Sequence, residues 1–235
     1  MPAIGITGGI STGKSTFCQC VHEILPEARF FDADTAAHQL VDLDPQVKKE
    51  LLAEFGAEVF SGKGDLNRKR LRAIIFQDTA KKSALEKILH PRIRRQWSAE
   101  AERHRNSPDF FFADIPLLYE TGGETLCDRV VVVACSPGIQ VLRLLQRVDG
   151  TGHRPVATGG AKERVATGKE NRDVATSLRD VTAAEIEAMI KSQMPLEEKI
   201  KKADHVVWNN GDRSMLKGQA EKLVKLWRRE KWPKA

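Results

Sequence analysis

Short apolar runs at residues 3–7, 28–31, 110–113, 130–134 and 205–208 alternate with longer stretches whose apolar residues recur at three- and four-residue spacing. The runs have the length and the β-branched and aromatic content of buried strands, and stretches such as residues 47–55, 69–76 and 183–190 carry the helical period. Strands separated by helical crossovers predict an α/β fold: a five-stranded parallel sheet with helices on both faces. One helix suffices between the first and second strands. About 75 residues lie between the second and third, far more than a crossover needs. Residues 36–107 are therefore expected to form a helical substrate-binding region on the sheet, with residues 62–64 as a loop inside it. A second excursion, residues 143–202, follows the fourth strand where a lid would sit. The chain, residues 1–235, is expected to be one domain.

Inside the second excursion the triplet Val-Ala-Thr occurs at 156–158, 165–167 and 174–176, among Gly, Lys, Arg and Glu. A nine-residue period cannot bury itself, so residues 151–177 are expected to be mobile or poorly packed. Regular structure is expected to resume at Thr182, which with Glu185 has the form of a capping box opening a helix over 183–191. Near the end, Ala220, Leu223, Val224 and Trp227 fall at i, i+3, i+4 and i+7, predicting a helix docked by one apolar face.

Composition narrows the class. Hydrophobic residues make up 41% and charged residues 30%, a globular balance. No run approaches the roughly 18 apolar residues of a membrane span, and no basic leader precedes the first apolar stretch, so a cytoplasmic protein is expected. Cys18, Cys20, Cys127 and Cys135 form neither a metal-ligand array nor a disulfide framework and read as buried thiols. The formal charge is +6, and six Lys or Arg against one Glu lie between Lys222 and Ala235. A nucleic-acid role would use this tail with Trp227 and Trp232 as stacking groups; the expectation here is no nucleic acid and no membrane, the charge serving a polyanionic substrate.

The chemistry begins at Gly8-Gly9-Ile10-Ser11-Thr12-Gly13-Lys14-Ser15, which satisfies GxxxxGK[ST] between a strand and a helix. This P-loop NTPase-type arrangement converges backbone N–H groups and a helix N-terminus on one anion. Lys14 would reach the β- and γ-phosphates of ATP, and Ser15 would ligate Mg2+. Asp32 and Asp34 follow the second strand and would emerge beside the loop. If the strand continues, alternation points both the same way, one to orient an acceptor hydroxyl and take its proton, the other to arrange Mg2+. A cap on the next helix is the alternative. Asp114 ends the third apolar run as a Walker B acid does and is a second candidate for the metal's surroundings. Arg143 and Arg147, one turn apart, can face a transferring phosphoryl group together.

ITGGISTGKST, FDADTAAHQLV, GDLNRKRLRAIIF, LEKILHPRIR, DIPLLYETG and SQMPLEEKIKKADHVVWNNG occur in that order. In this order and spacing the chain resembles the dephospho-coenzyme A kinase family from Ile4 to about Met215. The resemblance implies transfer of the ATP γ-phosphoryl group to the ribose 3′-hydroxyl of dephospho-coenzyme A, the last step of coenzyme A synthesis. It implies Asp34 as catalytic aspartate, Arg143 as the arginine acting on the phosphoryl group, and Ser11, Thr12, Gly13, Lys14, Ser15 and Thr16 as ATP-binding loop. The segments around His90 and around Pro116 and Leu117 become substrate-binding, and the Asn209-Asn210-Gly211 turn lies where the family puts backbone around adenine. Three features depart from the family pattern. Ser11 stands where glycine is common, harmless if its φ is negative. Met189 replaces a frequent lid arginine, and the 151–177 excursion is extra, so that Arg154, Arg164 or Arg172 is a candidate substitute. A kinase of another small alcohol would share Lys14 and Ser15, but would not explain the His90, Pro116 and QMPLEEK segments together. A regulatory GTPase would need an NKxD segment, which is absent.

Overall fold

The computed structural model describes residues 2–62, 64–105, 107, 109–148, 183–230 and 232. The excursion expected at 151–177, with Arg154, Arg164 and Arg172, lies outside the described residues, as does Thr182. The chain runs β1 (Ala3–Gly8), α1 (Lys14–Ile24), β2 (Arg29–Asp32), α2 (Ala33–Leu43), α3 (Pro45–Phe55), α4 (Arg68–Gln77) and α5 (Thr79–His104). It continues with β3 (Phe111–Asp114), β4 (Arg129–Ala134), α6 (Pro137–Val148), α7 (Ala183–Lys191), α8 (Leu196–Lys202), β5 (His205–Trp208) and α9 (Arg213–Trp227). The strands pair in the order β2-β3-β1-β4-β5, all parallel, as the alternation of strands and helices predicts.

Strand alternation sorts side chains into two cores. Ile4, Ile6, Phe112, Val131 and Val133 pack toward α1 and α9, against Phe17, Val21, Leu216, Val224 and Trp227. Phe31, Phe111, Ala113, Val130 and Val132 face the other way, into Leu40, Val47, Leu51, Phe55 and Trp97 of the helical region. Trp227 is fully buried, so it is not available as the stacking group considered above for nucleic acid.

Asp or Asn precedes several helices, and its side-chain oxygen accepts first-turn N–H groups: Asp32 for α2, Asp44 for α3, Asn67 for α4, Asp78 for α5 and Asp212 for α9. Each such cap contributes about 1 kcal/mol. Helix α5 runs through Pro91, which withholds one N–H from the ladder; close by, Arg92 Nη1 donates to the Ile88 carbonyl at 2.6 Å. At the edge of β5 that pairs with no further strand among the described residues, the Gln219 amide meets both backbone groups of Trp208, Oε1 accepting its N–H at 3.0 Å and Nε2 donating to its carbonyl at 2.8 Å. Among the described residues no helix is long and apolar enough to cross a membrane.

Candidate active site

With β1 central in the sheet, the loop after it opens at the carboxyl edge, where the chain leaves for β2 on one side and β4 pairs on the other. Gly8 ends β1 so close to the Val133 carbonyl that a Cβ would collide with it. Gly13 is the N-cap of α1 at φ 93°, and Ser11 is also left-handed at φ 59°. The harmless negative φ considered for Ser11 is not realised. A Cβ in that region costs about 1–2 kcal/mol, and the Ser11 Oγ is buried with no partner among the described residues. Two left-handed residues in a tight loop turn successive N–H groups to one side, a nest suited to an anion.

The loop is held from outside. Asn209, 7% exposed, donates from Nδ2 to the Thr12 carbonyl at 2.9 Å, and Arg143 Nη1 donates to the same oxygen at 3.3 Å. Both peptides flanking Ile10 are held: the Ile10 N–H donates to Gln193 Oε1 and the Ile10 carbonyl accepts from Gln140 Nε2, each at 2.9 Å. Lys199 of α8 is 0% exposed, and its ammonium reaches the Pro116 carbonyl at 2.9 Å, Glu120 Oε1 at 2.9 Å and the Gly8 carbonyl at 3.5 Å. Burial lowers its pKa, with the Glu120 carboxylate opposing. The ammonium's three donors meet three acceptors and tie the ends of β1 and β3 to α8.

Lys14 is ion-paired with Asp114 Oδ1, and the Cys18 thiol donates to Asp114 Oδ2 at 3.4 Å. Burial alone would lower the Lys14 pKa, but the Asp114 carboxylate, helped by Cys18 and Asp34, outweighs it and holds the ammonium above its ordinary range. Burial raises Asp114 despite that partner. Ser15, Asp32 and Asp114 line one cavity of about 780 Å³ that extends to Gln96, Glu100 and Arg103 of α5.

Asp32 does not continue a strand toward Asp34. Strand β2 ends at Asp32, whose Oδ1 accepts the N–H groups of Asp34 and Thr35 as the cap of α2. Strand alternation therefore does not set the direction of Asp34, which sits exposed in the first helical turn, within electrostatic reach of Lys14. Pro116 turns its carbonyl inward to Thr7 and Lys199, and the Leu117 carbonyl accepts from Thr121. His90 is half-buried in α5, its pKa lowered by burial. Neither it nor Pro116 nor Leu117 lines the cavity. Gly211 lies exposed between β5 and α9, and Met189 is partly buried on α7. The Arg147 side chain lies outside the described residues.

A family profile described as dephospho-CoA kinase matches residues 2–166, more than half the chain. The chain belongs to the dephospho-CoA kinase family. It is 33% identical to a dephospho-CoA kinase of Bacillus cereus (strain ATCC 10987 / NRS 248) over 95% of this chain and 96% of the relative. It is 36% identical to one of Anaeromyxobacter dehalogenans (strain 2CP-C), over 95% and 91%. A Thermus thermophilus crystal structure superposes with a TM-score of 0.65 at 26% identity, covering 98% of both chains. The fold is also shared with the Campylobacter jejuni dephospho-CoA kinase, with a TM-score of 0.59 at 22% identity and 96% coverage of each.

For a dephospho-CoA kinase, sequence reasoning missed Gln140, Gln193 and Lys199, and gave Asn209 only a backbone part. Lys199 had a signal: it falls with Leu196, Ile200 and Ala203 at i, i+3, i+4 and i+7, a cation inside an otherwise apolar stripe.

Proposed function

We propose that this chain transfers the γ-phosphoryl group of ATP to the ribose 3′-hydroxyl of dephospho-coenzyme A, giving coenzyme A and ADP, the closing step of coenzyme A synthesis. The cavity beside Ser15 carries the reading. It gives an acceptor a place against the first turn of α1, with the carboxylates of Asp32, Asp114 and Glu100 in its wall and the helical region behind it. The family supplies which acceptor.

The N–H groups of the loop and the N-terminus of α1 bind the polyphosphate. Lys14, charged and already poised on Asp114, exchanges that carboxylate for β- and γ-phosphate oxygens. Asp34 orients the 3′-hydroxyl and receives its proton. Arg143 keeps one N–H on Thr12 and offers the others to the charge that develops on the phosphoryl group; Arg147 is assigned the same neighbourhood. The adenine of ATP lies along the backbone of Asn209 to Gly211. His90, Pro116 and Leu117 are assigned to the acceptor side by the family resemblance, from behind the residues that line the cavity. The Ser15 hydroxyl and the carboxylates of Asp32 and Asp114 are hard oxygen donors that fit Mg2+. When bound, that ion neutralises charge on the phosphoryl oxygens.

The test is a coupled ADP assay with dephospho-coenzyme A, adenosine, a nucleoside monophosphate and shikimate offered in parallel. A clear preference for dephospho-coenzyme A is expected, and indifference among the four rejects the assignment. Asp34→Asn should lose about 100-fold or more in kcat with ATP affinity little changed. Full turnover in that variant moves the proton acceptor to Asp32.

A further inference from the structure

The left-handed turn at Ser11 is a strained conformation for a residue with a side chain, and such strain persists only where the surroundings over-determine it. The two peptides just before it are each held. The Ile10–Ser11 peptide has its carbonyl taken by Gln140 from α6, and the Gly9–Ile10 peptide has its N–H taken by Gln193 from the segment joining α7 to α8. A carbonyl can only accept and an N–H can only donate, so both amide orientations are dictated by chemistry. Gln140 is 6% exposed, and it also crowds Gly9, where an added Cβ would lie 2.9 Å from its Nε2.

We propose that Gln140 and Gln193 are positioning residues that lock the two successive peptide planes flanking Ile10, Gln193 the Gly9–Ile10 plane and Gln140 the Ile10–Ser11 plane, and so hold the phosphate-binding loop in its anion-ready shape before ATP arrives. The proposal deepens the kinase reading and rests on it for the identity of the anion. With the Ile10 N–H spent on Gln193 and the Thr12 N–H on Gly9, the loop's own turn, the N–H groups of Ser11, Gly13, Lys14, Ser15 and Thr16 remain without an acceptor among the described residues. These are the donors left for phosphate. A rotation of the Ile10–Ser11 peptide, or of the Gly9–Ile10 peptide before it, would turn Ser11 and scatter the nest. The two clamps come from opposite ends of the chain segment between α6 and α8, so neither duplicates the other.

The test exploits their opposite polarity. Gln193→Glu keeps an acceptor for the Ile10 N–H, whereas Gln140→Glu sets a carboxylate against the Ile10 carbonyl; both add the same charge near the loop. Dissociation constants for ATP are measured by equilibrium titration above about pH 8, below the melting temperature of every variant, with KM and kcat alongside. Gln140→Glu should bind ATP about tenfold or more weaker than Gln193→Glu. Gln193→Met and Gln140→Met, which keep the length and lose the polar group, should also raise the dissociation constant and KM for ATP about tenfold, with a smaller effect on kcat. A merely structural role would lower melting temperatures without this ordering. Equal ATP affinities for the two Glu variants overturn the proposal, as do Met variants that bind ATP like the parent. ATP binding needs no acceptor, so failure to phosphorylate dephospho-coenzyme A would reject the acceptor assignment and leave this test intact.

Discussion

Gly13 and Asn209 should be energetically one unit. At φ 93°, any Cβ at position 13 is in the left-handed region, costing about 1–2 kcal/mol. That Cβ would also fall well inside contact distance of Asn209 Nδ2, the atom donating to Thr12 at 2.9 Å. Gly13→Ala must therefore swing a buried amide off its acceptor, for a further 1–3 kcal/mol or about that, giving about 2–5 kcal/mol in all. Asn209→Ala alone should cost about 1 kcal/mol, because the Thr12 carbonyl keeps Arg143 at 3.3 Å. In the double variant there is no amide to displace, and only the backbone strain and the lost hydrogen bond remain, about 2–3 kcal/mol. The singles should then exceed the double by about 1–3 kcal/mol, well above the scatter of independent sites. Thermal and denaturant unfolding of the four proteins measure this directly, at about 2–4 °C per kcal/mol for a chain of this size. Strict additivity would refute the reasoning, since it would mean that the added methyl never meets Asn209.

Other expectations concern the buried ionisable groups. Lys199→Met leaves Glu120 without its cation and takes one donor each from the Pro116 and Gly8 carbonyls, Pro116 keeping the Thr7 hydroxyl, so it should cost about 3–5 kcal/mol, read as a melting temperature lower by roughly 6–20 °C; adding Glu120→Gln should recover part of it, and no recovery would count against the pair. Burial raises the pKa of all four thiols, Cys127 to about 12 from 9.0. A folded-state pKa above the unfolded one means that the contribution of Cys127 is complete below pH 9 and is lost as pH rises from 9 toward 12. The native protein should react slowly with a thiol reagent at pH 8 and release all its thiols on unfolding, and Cys127→Ala should flatten the alkaline loss of stability. Fast native labelling of Cys127 would contradict its burial.

The strands and the loop were legible because their signals are local: a run of five or six apolar residues, or four specified positions within eight. The site's supports were not, because they join residues far apart in the chain. Lys199 meets Gly8 across 191 positions, Gln193 meets Ile10 across 183, and Gln140 meets Ile10 across 130. No periodicity spans such distances, and glutamine on a helix looks like any solvated residue until the partner is known. Asp32 misled in a different way. The DAD segment offers the same two acids to a strand end and to a helix cap, and the cap prevails because the helix needs its first N–H groups answered. For Ser11 the negative φ on which the expectation rested was not available, because the two peptides before it are pinned by residues on other elements.

The Gln219 amide at the rim of β5 bears on how this protein behaves in company. A sheet edge with free N–H and C=O groups is a template on which another chain can add a strand. Here one side chain from α9 imitates the missing neighbour at Trp208, meeting both of its backbone groups. With the strand only four residues long, that imitation interrupts the template near its end and leaves less of the edge on which another chain could add a strand.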